Sequence, residues 1–193
     1  MSDTELEQPC PQPQAQSAAY IALREIVETV ALFAIVFVVA RLTIGNYSIL
    51  GQSMEPNYHQ DQRLLVDKVT PGIFGYNRGD VVIVRSPVQS IELIKRLIGK
   101  PGDVVELNGG VVKVNGQVLV EPYLPPNTAS NPMHSATRWE LGEYEYFVMG
   151  DNRSFSQDSR TFGPVRGELI VGRAWLLYWP LSDLQIVQHF SYP

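Results

Sequence analysis

The sequence predicts a mostly β fold of antiparallel sheets, preceded by one N-terminal transmembrane helix. Three observations support this prediction. An apolar segment covers residues 26–44, short runs of β-branched residues recur after residue 47, and strands do not alternate with helices as they would in a parallel sheet. A chain of 193 residues has room for one domain of ordinary size beside the apolar segment.

Composition argues against several classes of protein. The net charge of −5 disfavours a nucleic-acid-binding protein, which usually carries a basic field. The single cysteine, Cys10, excludes an intrachain disulfide and a structural zinc site built from cysteines. Most of the negative charge lies in the first 28 residues, so the remainder is nearly balanced.

The N-terminal region divides into two parts. Residues 1–16 are rich in proline, glutamine and acidic residues, which predicts a disordered tail. Residues 17–46 are predicted to form a membrane anchor, because fifteen of the nineteen residues in 26–44 are apolar. Nineteen helical residues span about 28 Å, close to the thickness of the hydrocarbon core.

The strictly uncharged part of this segment, 29–40, is shorter than a full membrane span. A complete span requires Glu28 to pair with Arg24 and Arg41 to reach the interface. A cleaved signal peptide and a buried core helix therefore remain alternatives, although the acidic tail disfavours the former. One basic residue on each side leaves the orientation undecided.

Residues 47–193 are predicted to form a single β-rich domain. Strand-like runs occur at 64–66, 81–84, 91–98, 104–107, 111–114, 118–120, 146–149 and 171–177. Asn115-Gly116 is typical of a two-residue hairpin turn, and 108–110 predicts a second connection. The proline-rich stretch 122–138 predicts a loop that leaves the sheet.

The metal-binding patterns are weak. His59, His134 and His189 have no neighbouring ligands at metal spacing, so no zinc site is predicted. In the segment after Asp151, Arg153 and a phenylalanine occupy the positions that would bind calcium, which removes that interpretation.

Lys95 has two interpretations. In a strand over 91–98 it shares a face with Leu93 and Leu97, which places an ammonium group among aliphatic side chains. It either reaches water from the strand, as periodicity alone favours, or is buried with a depressed pKa and serves as a general base.

Ser53 is a candidate nucleophile because Gly51 and Pro56 bracket it in a tight, non-helical loop. A serine in such a loop more often only stabilises the turn by hydrogen bonding to the backbone. The polar stretch 150–160 follows an apolar strand and is by itself equally typical of a surface turn.

Four segments taken in order resemble the sequence boxes of type I signal peptidases, the bacterial leader peptidases. They are GQSMEP (51–56), GDVVIV (79–84), KRLIGKPGD (95–103) and GDNRSFSQDSRTFGPV (150–165). The resemblance covers most of 47–179 and leaves out the tail and the 122–138 loop. It implies a serine–lysine protease with antiparallel sheets in a partly open barrel, held to a membrane by one helix.

The resemblance also implies roles for particular residues. Ser53 would be the nucleophile, Lys95 the general base, and Ser156 the hydroxyl that orients the lysine. The oxyanion and substrate-cleft positions would be Gly51, Met54 and Gly150, and a structural ion pair would join Asp158 to Arg160. Asp151 is interpreted as fixing its loop.

Two positions depart from the family pattern. Gly51 stands where two-span members have a serine whose hydroxyl supplements the oxyanion hole, so the donors here would be backbone N–H groups, including that of Ser53. Asn57-Tyr58 replace the usual Thr-Leu after Pro56. Only one candidate span precedes Ser53, as in single-anchor members.

The function implied is removal of signal peptides from exported preproteins, by cleavage after a small-x-small site such as Ala-x-Ala. Partners would be preprotein signal peptides, the lipid bilayer and the secretion translocon, with no cofactor, metal or nucleic acid. The N-terminus would be cytoplasmic, with the catalytic domain on the exported side of a plasma membrane or an internal bacterial-type membrane.

Two other interpretations compete with this one. A self-cleaving repressor of the same serine–lysine class would be expected to have a DNA-binding or cleavable N-terminal segment and no anchor. A membrane-tethered β domain that only binds or scaffolds would not need the combination of Ser53, Lys95 and Ser156, which is intact.

Overall fold

A computed structural model describes residues 18–190 and Tyr192. The predicted tail, 1–16, lies outside the described residues. The chain divides into two compact units, the first ending at Arg41 and the second beginning at Leu42, and each is described by itself.

The first unit contains most of a single long helix, α1 (Ala18–Thr43), whose 26 residues correspond to about 39 Å. None of its residues is buried, and by length and composition it is able to cross a membrane. The predicted pairing of Arg24 with Glu28 is confirmed, with 2.6 Å between Nε and Oε1.

The helix ends three residues before residue 46, the predicted end of the anchor segment. The helix ends at Thr43, and Ile44–Ser48 form strand β1. Pairing with Arg63–Asp67 satisfies the backbone groups on one edge of β1, and the weak helix former Gly45 lies within it.

The second unit is mostly β, with twelve strands among the described residues. The strands are β1 (Ile44–Ser48), β2 (Arg63–Asp67), β3 (Val81–Arg85), β4 (Glu92–Gly99), β5 (Val104–Asn108), β6 (Val111–Val114), β7 (Gln117–Val118), β8 (Arg138–Glu140), β9 (Glu145–Met149), β10 (Val165–Arg166), β11 (Ile170–Trp179) and β12 (Gln185–Ile186). Short helices occur at α2 (Thr70–Phe74) and α3 (Ser159–Phe162), with 3₁₀ turns at Gly167–Leu169 and Leu181–Asp183.

Every strand pair is antiparallel. The larger sheet has the order β1-β2-β11-β3-β4-β9-β10, with β12 also paired to β11, and the smaller has the order β7-β6-β5-β8. Residues 46–50 and 91–94 line one cleft although β1 and β4 are far apart in the strand order. The larger sheet is therefore curled into an open half-barrel, which confirms the predicted fold class.

The second unit has three apolar clusters, and β4 contributes to all of them. Ile94 lies in the cluster enclosed by the curled sheet, Ile98 packs with the smaller sheet, and Leu97 packs with residues of β3 and β9 on the remaining face. Because both faces of β4 are covered, its sequence lacks the clean apolar–polar alternation of a half-exposed strand.

The predicted turns are present. Asn115 and Gly116 have φ angles of 53° and 78° and connect β6 to β7, as expected for a type I′ hairpin. The predicted 122–138 loop is irregular until Arg138, where β8 begins. Strands β8, β10 and β12 were not predicted, because two or three residues are too few to show a periodicity.

Gly172 lies where β11 passes close to β2. An added Cβ would stand 2.8 Å from a methyl carbon of Val66 and would overlap the carbonyl oxygen of Asp67. The strand backbone cannot move away without breaking ladder hydrogen bonds, so this position accepts no side chain.

We expect Gly172→Ala to lower the free energy of unfolding by about 1–3 kcal/mol, because the added methyl overpacks a closed site. The matched control is Gly72→Ala in α2, where an added Cβ meets no atom within 4 Å. Denaturant unfolding of the full chain in detergent, followed by circular dichroism, measures both. Equal stability of the two variants would contradict the close packing of β11 on β2.

Candidate active site

Ser53 lies in the loop that joins β1 to β2, here called the Ser53 loop (residues 49–62). Backbone hydrogen bonds close the base of the loop, from Ile49 N to Gln62 O at 2.8 Å and from Asp61 N to Ile49 O at 2.9 Å. Met54 is fully buried in the core of the curled sheet. A buried anchor directly after Ser53 therefore fixes the serine at the surface of the core.

Lys95 comes to the same point from strand β4, where it is paired with Val82 of β3. Its Nζ lies 2.7 Å from Ser53 Oγ and 2.9 Å from the carbonyl oxygen of Ile94. The residue is only 1% exposed, so the interpretation in which it reaches water is wrong. The structure brings together two residues that are 42 positions apart in the sequence.

Burial lowers the pKa of Lys95 from 10.5 to about 8, because the charged amine loses most of its hydration. The carboxylates of Asp158 and Asp151 oppose this shift in pKa, and the Arg160 guanidinium adds to it. Roughly a tenth of the amine is then neutral at pH 7, which gives a group able to accept a proton near physiological pH.

The predicted cleft residue Gly150 lies at the end of β9, pressed against the Ser53 loop. An added Cβ would overlap both the carbonyl oxygen of Ser53 and the side chain of Ser156. Asn152 ties the same loops together, donating from its backbone N to Ser53 O at 3.0 Å and from Nδ2 to Gln52 O at 3.1 Å. Gly51 has a φ of 83°, and an added Cβ there would meet no atom within 4 Å.

Ser156 is 4% exposed, and its hydroxyl makes no hydrogen bond to any described residue. It lies close enough to Asp158 to help hold the pKa of that carboxyl down. The hydrogen bond from Lys95 Nζ goes to Ser53 and Ile94 rather than to Ser156. The orienting role of Ser156 therefore stays a prediction.

Asp158 and Arg160 form a buried, bidentate ion pair, with distances of 2.9 and 2.8 Å. Asp158 also accepts from the backbone N of Gly150 at 3.0 Å and caps helix α3 through the N of Arg160. Burial raises the pKa of Asp158, but the guanidinium and the N–H donors outweigh it and hold the pKa below its ordinary value. The pair thus carries a fixed negative charge that is locally compensated.

Two further ion pairs, which were not predicted from the sequence, lie around the site. Arg96 is bidentate to Asp151 at 2.9 and 2.7 Å, and Asn57 Nδ2 donates to the same carboxylate at 2.8 Å. Arg153 pairs with Glu121 and donates to Gly150 O at 3.0 Å. The signal available in the sequence was Arg96 itself, a second basic residue in a strand with two apolar faces.

No group of three or more His, Cys, Asp or Glu side chains suited to a metal ion occurs among the residues that the structure describes. The groups that meet at the site are a hydroxyl and a desolvated amine within hydrogen-bond distance. This arrangement suits nucleophilic attack by the serine with the lysine as proton acceptor.

A cleft of about 370 Å³ is lined by the first residues of the Ser53 loop and by the residues that precede Lys95 in β4. It is lined by Asn46, Tyr47, Ser48, Ile49, Leu50, Leu64, Ile83, Ile91, Glu92, Leu93 and Ile94. In the described chain, β1 pairs on one edge only, and residues 92–95 of β4 pair only with β3. The cleft is therefore bordered by two strand edges with free backbone groups, which suits an extended peptide.

Comparison with known proteins agrees with this geometry. The family model for signal peptidase, peptidase S26, matches residues 23–179. The chain is 36% identical over 146 residues to signal peptidase I of Bacillus amyloliquefaciens, covering 72% of this chain and 76% of that protein. It is 31% identical over 181 residues to signal peptidase IB of Staphylococcus aureus strain COL, covering 84% of this chain and 92% of that protein.

A solved structure of a signal peptidase I from Enterococcus faecalis V583 is 33% identical and has a TM-score of 0.44, covering 51% of this chain and 95% of that chain. The family match extends over more than half of the sequence and includes Ser53, Lys95 and the 150–160 segment. The chain therefore belongs to the peptidase S26 family of signal peptidases and is a serine peptidase of the signal peptidase I type.

Proposed function

We propose that this protein is a membrane-anchored endopeptidase that removes signal peptides from exported preproteins, with Ser53 as nucleophile and Lys95 as general base. The observation that carries the proposal is the 2.7 Å contact between Ser53 Oγ and Lys95 Nζ, made by a lysine that is 1% exposed. A solvated lysine with an ordinary pKa would hold its proton and could not activate a hydroxyl.

The proposed reaction begins as Ser53 Oγ attacks the scissile carbonyl carbon while its proton moves to Lys95 Nζ. The developing oxyanion is bound by backbone N–H groups, including that of Ser53. As the C–N bond breaks, the Lys95 ammonium returns the proton to the leaving amine, which leaves an ester on Ser53. Water then attacks the ester carbonyl carbon and gives a proton to Lys95 Nζ. As the ester C–O bond breaks, the Lys95 ammonium returns that proton to Ser53 Oγ, which releases the signal peptide with a free carboxyl group and restores the neutral amine.

The cleft supports an extended substrate that ends in small residues. A peptide strand can pair with the free edges of β1 and β4, and its alternate side chains then point toward the floor between Ile49 and Ile94. Both residues are almost completely buried, at 3% and 6% exposed, so packed aliphatic side chains close the floor. A small-x-small site such as Ala-x-Ala fits against a closed floor, whereas a large side chain would lift the scissile carbonyl away from Ser53.

We propose that α1 is the anchor, with the N-terminus cytoplasmic and the catalytic domain on the exported side. The 26-residue apolar helix and the signal-peptidase relatives support the anchoring. The orientation and the translocon as a partner rest on the family alone. Protection of residues 47–193 from added protease in sealed vesicles distinguishes the two orientations.

We expect Ser53→Ala and Lys95→Ala each to reduce kcat by about 10⁴-fold or more, because each removes a reacting group. The assay is cleavage of a preprotein with an Ala-x-Ala site by the full chain in detergent, with the new N-terminus identified by mass spectrometry. Matched controls are Ser154→Ala, an exposed serine on the adjacent loop, and Lys100→Ala, five residues beyond the proposed base. Substantial activity in either dyad variant would refute the assignment.

The pH dependence of cleavage follows from the lowered pKa of Lys95. Only the neutral amine accepts a proton, so kcat/KM should rise with pH through about 8 and level off above it. Below that value the rate should fall about tenfold per pH unit, because the amine becomes protonated. The measurement uses a substrate without titrating groups near the cleavage site. A profile that is flat between pH 6 and 9 would exclude Lys95 as the base.

We expect Ser156→Ala to lower kcat by roughly 10–100-fold, since its unpartnered hydroxyl is available to hold the Lys95 ammonium after proton transfer. The same change should lower the free energy of unfolding by no more than about 1–2 kcal/mol, because the interaction lost is that of the hydroxyl with the Asp158 carboxylate. Activity and denaturant unfolding are measured on one preparation. Unchanged activity together with lower stability would assign Ser156 a purely structural role.

A further inference from the structure

The chain continues beyond β11 as a segment here called the C-terminal strap (residues 181–192), of which all but residue 191 is described. The family match ends at residue 179, so the strap lies outside it. It turns through the 3₁₀ turn Leu181–Asp183, pairs with β11 through β12, and continues to Phe190 and Tyr192.

The strap holds the base of the Ser53 loop. Gln62 is 5% exposed and closes that loop, and its Nε2 donates to Asp183 Oδ2 at 2.7 Å. The Oε1 of Gln62 accepts from His59 N at 2.9 Å. Both ends of this buried amide are therefore used, and one of its two partners belongs to the strap.

The strap also covers the strand that carries Lys95. The ring of Phe190 lies 5.5 Å from the Arg96 guanidinium and 5.2 Å from the ring of Tyr123, which is itself 4.0 Å from Arg96. The carbonyl of Phe190 fills the space next to Gly79, whose own carbonyl oxygen accepts from Arg96 Nη1 at 3.0 Å. Phe190 thus excludes water from one side of the residue that follows Lys95 in β4.

Three further contacts hold the strap in place. Val187 is 2% exposed within the core of the curled sheet, and its N donates to Trp175 O at 2.9 Å. Nδ1 of His189 lies 3.2 Å from Asp80 Oδ1. Because the strap is fixed to the sheet at these points, it is able to hold both the Ser53 loop and strand β4 in place.

We propose that the C-terminal strap is a positioning element of this peptidase: Asp183 holds the Ser53 loop, and Phe190 keeps water from the Arg96–Asp151 pair behind Lys95. The inference rests on the proposed roles of Ser53 and Lys95. Phe190 and Asp183 touch neither the reacting atoms nor the cleft, so both act through Arg96 and Gln62.

The charged groups near the Lys95 amine are Asp158 and Asp151, which favour its protonated form, and Arg160, which disfavours it. Arg96 compensates Asp151 through two hydrogen bonds in a water-poor site. Removing the Phe190 ring would admit water to the Arg96–Asp151 pair and loosen it, which would leave more of the Asp151 charge uncompensated near the Lys95 amine. The amine would then keep its proton to a higher pH.

The test compares the full-length wild type in detergent with Phe190→Ala, the conservative variant Phe190→Tyr, and Ile186→Ala, an exposed residue of the same strap. We expect Phe190→Ala to lower kcat/KM at pH 7 about tenfold and to move the acid limb of the profile up by about half a pH unit. Phe190→Tyr should restore both within about twofold, and Ile186→Ala should match the wild type.

A second readout does not depend on cleavage. The rate at which an amine-specific reagent modifies Lys95, followed by mass spectrometry over pH 6–11, reports the titration of the amine directly. The midpoint should rise in Phe190→Ala and stay at the wild-type value in Ile186→Ala. If the wild type fails to cleave preproteins, the proposed function is lost, whereas this titration still tests the strap.

The outcomes separate positioning from stability. A purely structural strap would lower the amount of folded enzyme, which scales activity equally at every pH and leaves both midpoints unchanged, and that result would overturn the proposal. If Phe190→Ala does not fold, Asp183→Ala tests the other contact. After correction for the folded fraction it should still lose about threefold in kcat, with rescue by Asp183→Asn, which retains the acceptor for Gln62. No residual loss would overturn the proposal.

Discussion

The structure is organised around one constraint, the burial of an amine next to a serine hydroxyl. Charging Lys95 in this environment costs about 3 kcal/mol relative to the unfolded chain, as the drop of its pKa from 10.5 to about 8 implies. The cost is present in full below pH 8 and disappears above about pH 10.5, where the lysine is neutral in both states. Burial lowers the pKa of Lys95 only because the neighbouring negative charges are compensated. Asp158 is paired with Arg160 and Asp151 with Arg96, whereas an unpaired carboxylate at either place would hold the amine in its charged form.

Strand β4 is the part of the sheets that keeps the Lys95 amine buried. The strand is covered on both faces and contributes to all three apolar clusters, so it is the part of the domain least able to shift or to admit water. Its partner is a loop, but one anchored by fully buried Met54 and tied to the 150–160 segment through Asn152. Ser53 and Lys95 are therefore presented by two elements that share the same core, although they are 42 residues apart in sequence.

The fold class and the two central residues of the candidate site could be predicted from the sequence. The ion pairs and the short strands could not, for physical reasons. The β-rich domain followed from runs of β-branched residues, and Ser53 and Lys95 followed from their resemblance to family segments, while periodicity alone favoured a solvated Lys95. The pairs Arg96–Asp151 and Arg153–Glu121 could not be predicted, because their partners are 55 and 32 residues apart and meet only once the curled sheet has formed. Short strands such as β10 and β12 likewise depend on their partners rather than on their own two residues.

The loop at 122–138 differs from an ordinary surface insertion. Its middle supplies acceptors to buried guanidinium groups: the hydroxyl of Ser130 accepts from Arg153, and the carbonyl oxygen of Asn131 accepts from Arg160 at 3.4 Å. Shortening this loop would remove one hydrogen-bond acceptor from each of two arginines that are 3% exposed. Because these arginines hold the 150–160 segment, the loss would also disturb the candidate active site. The segment 132–136, which is exposed throughout or nearly so, is the stretch where a deletion, a tag or a foreign epitope can be accommodated.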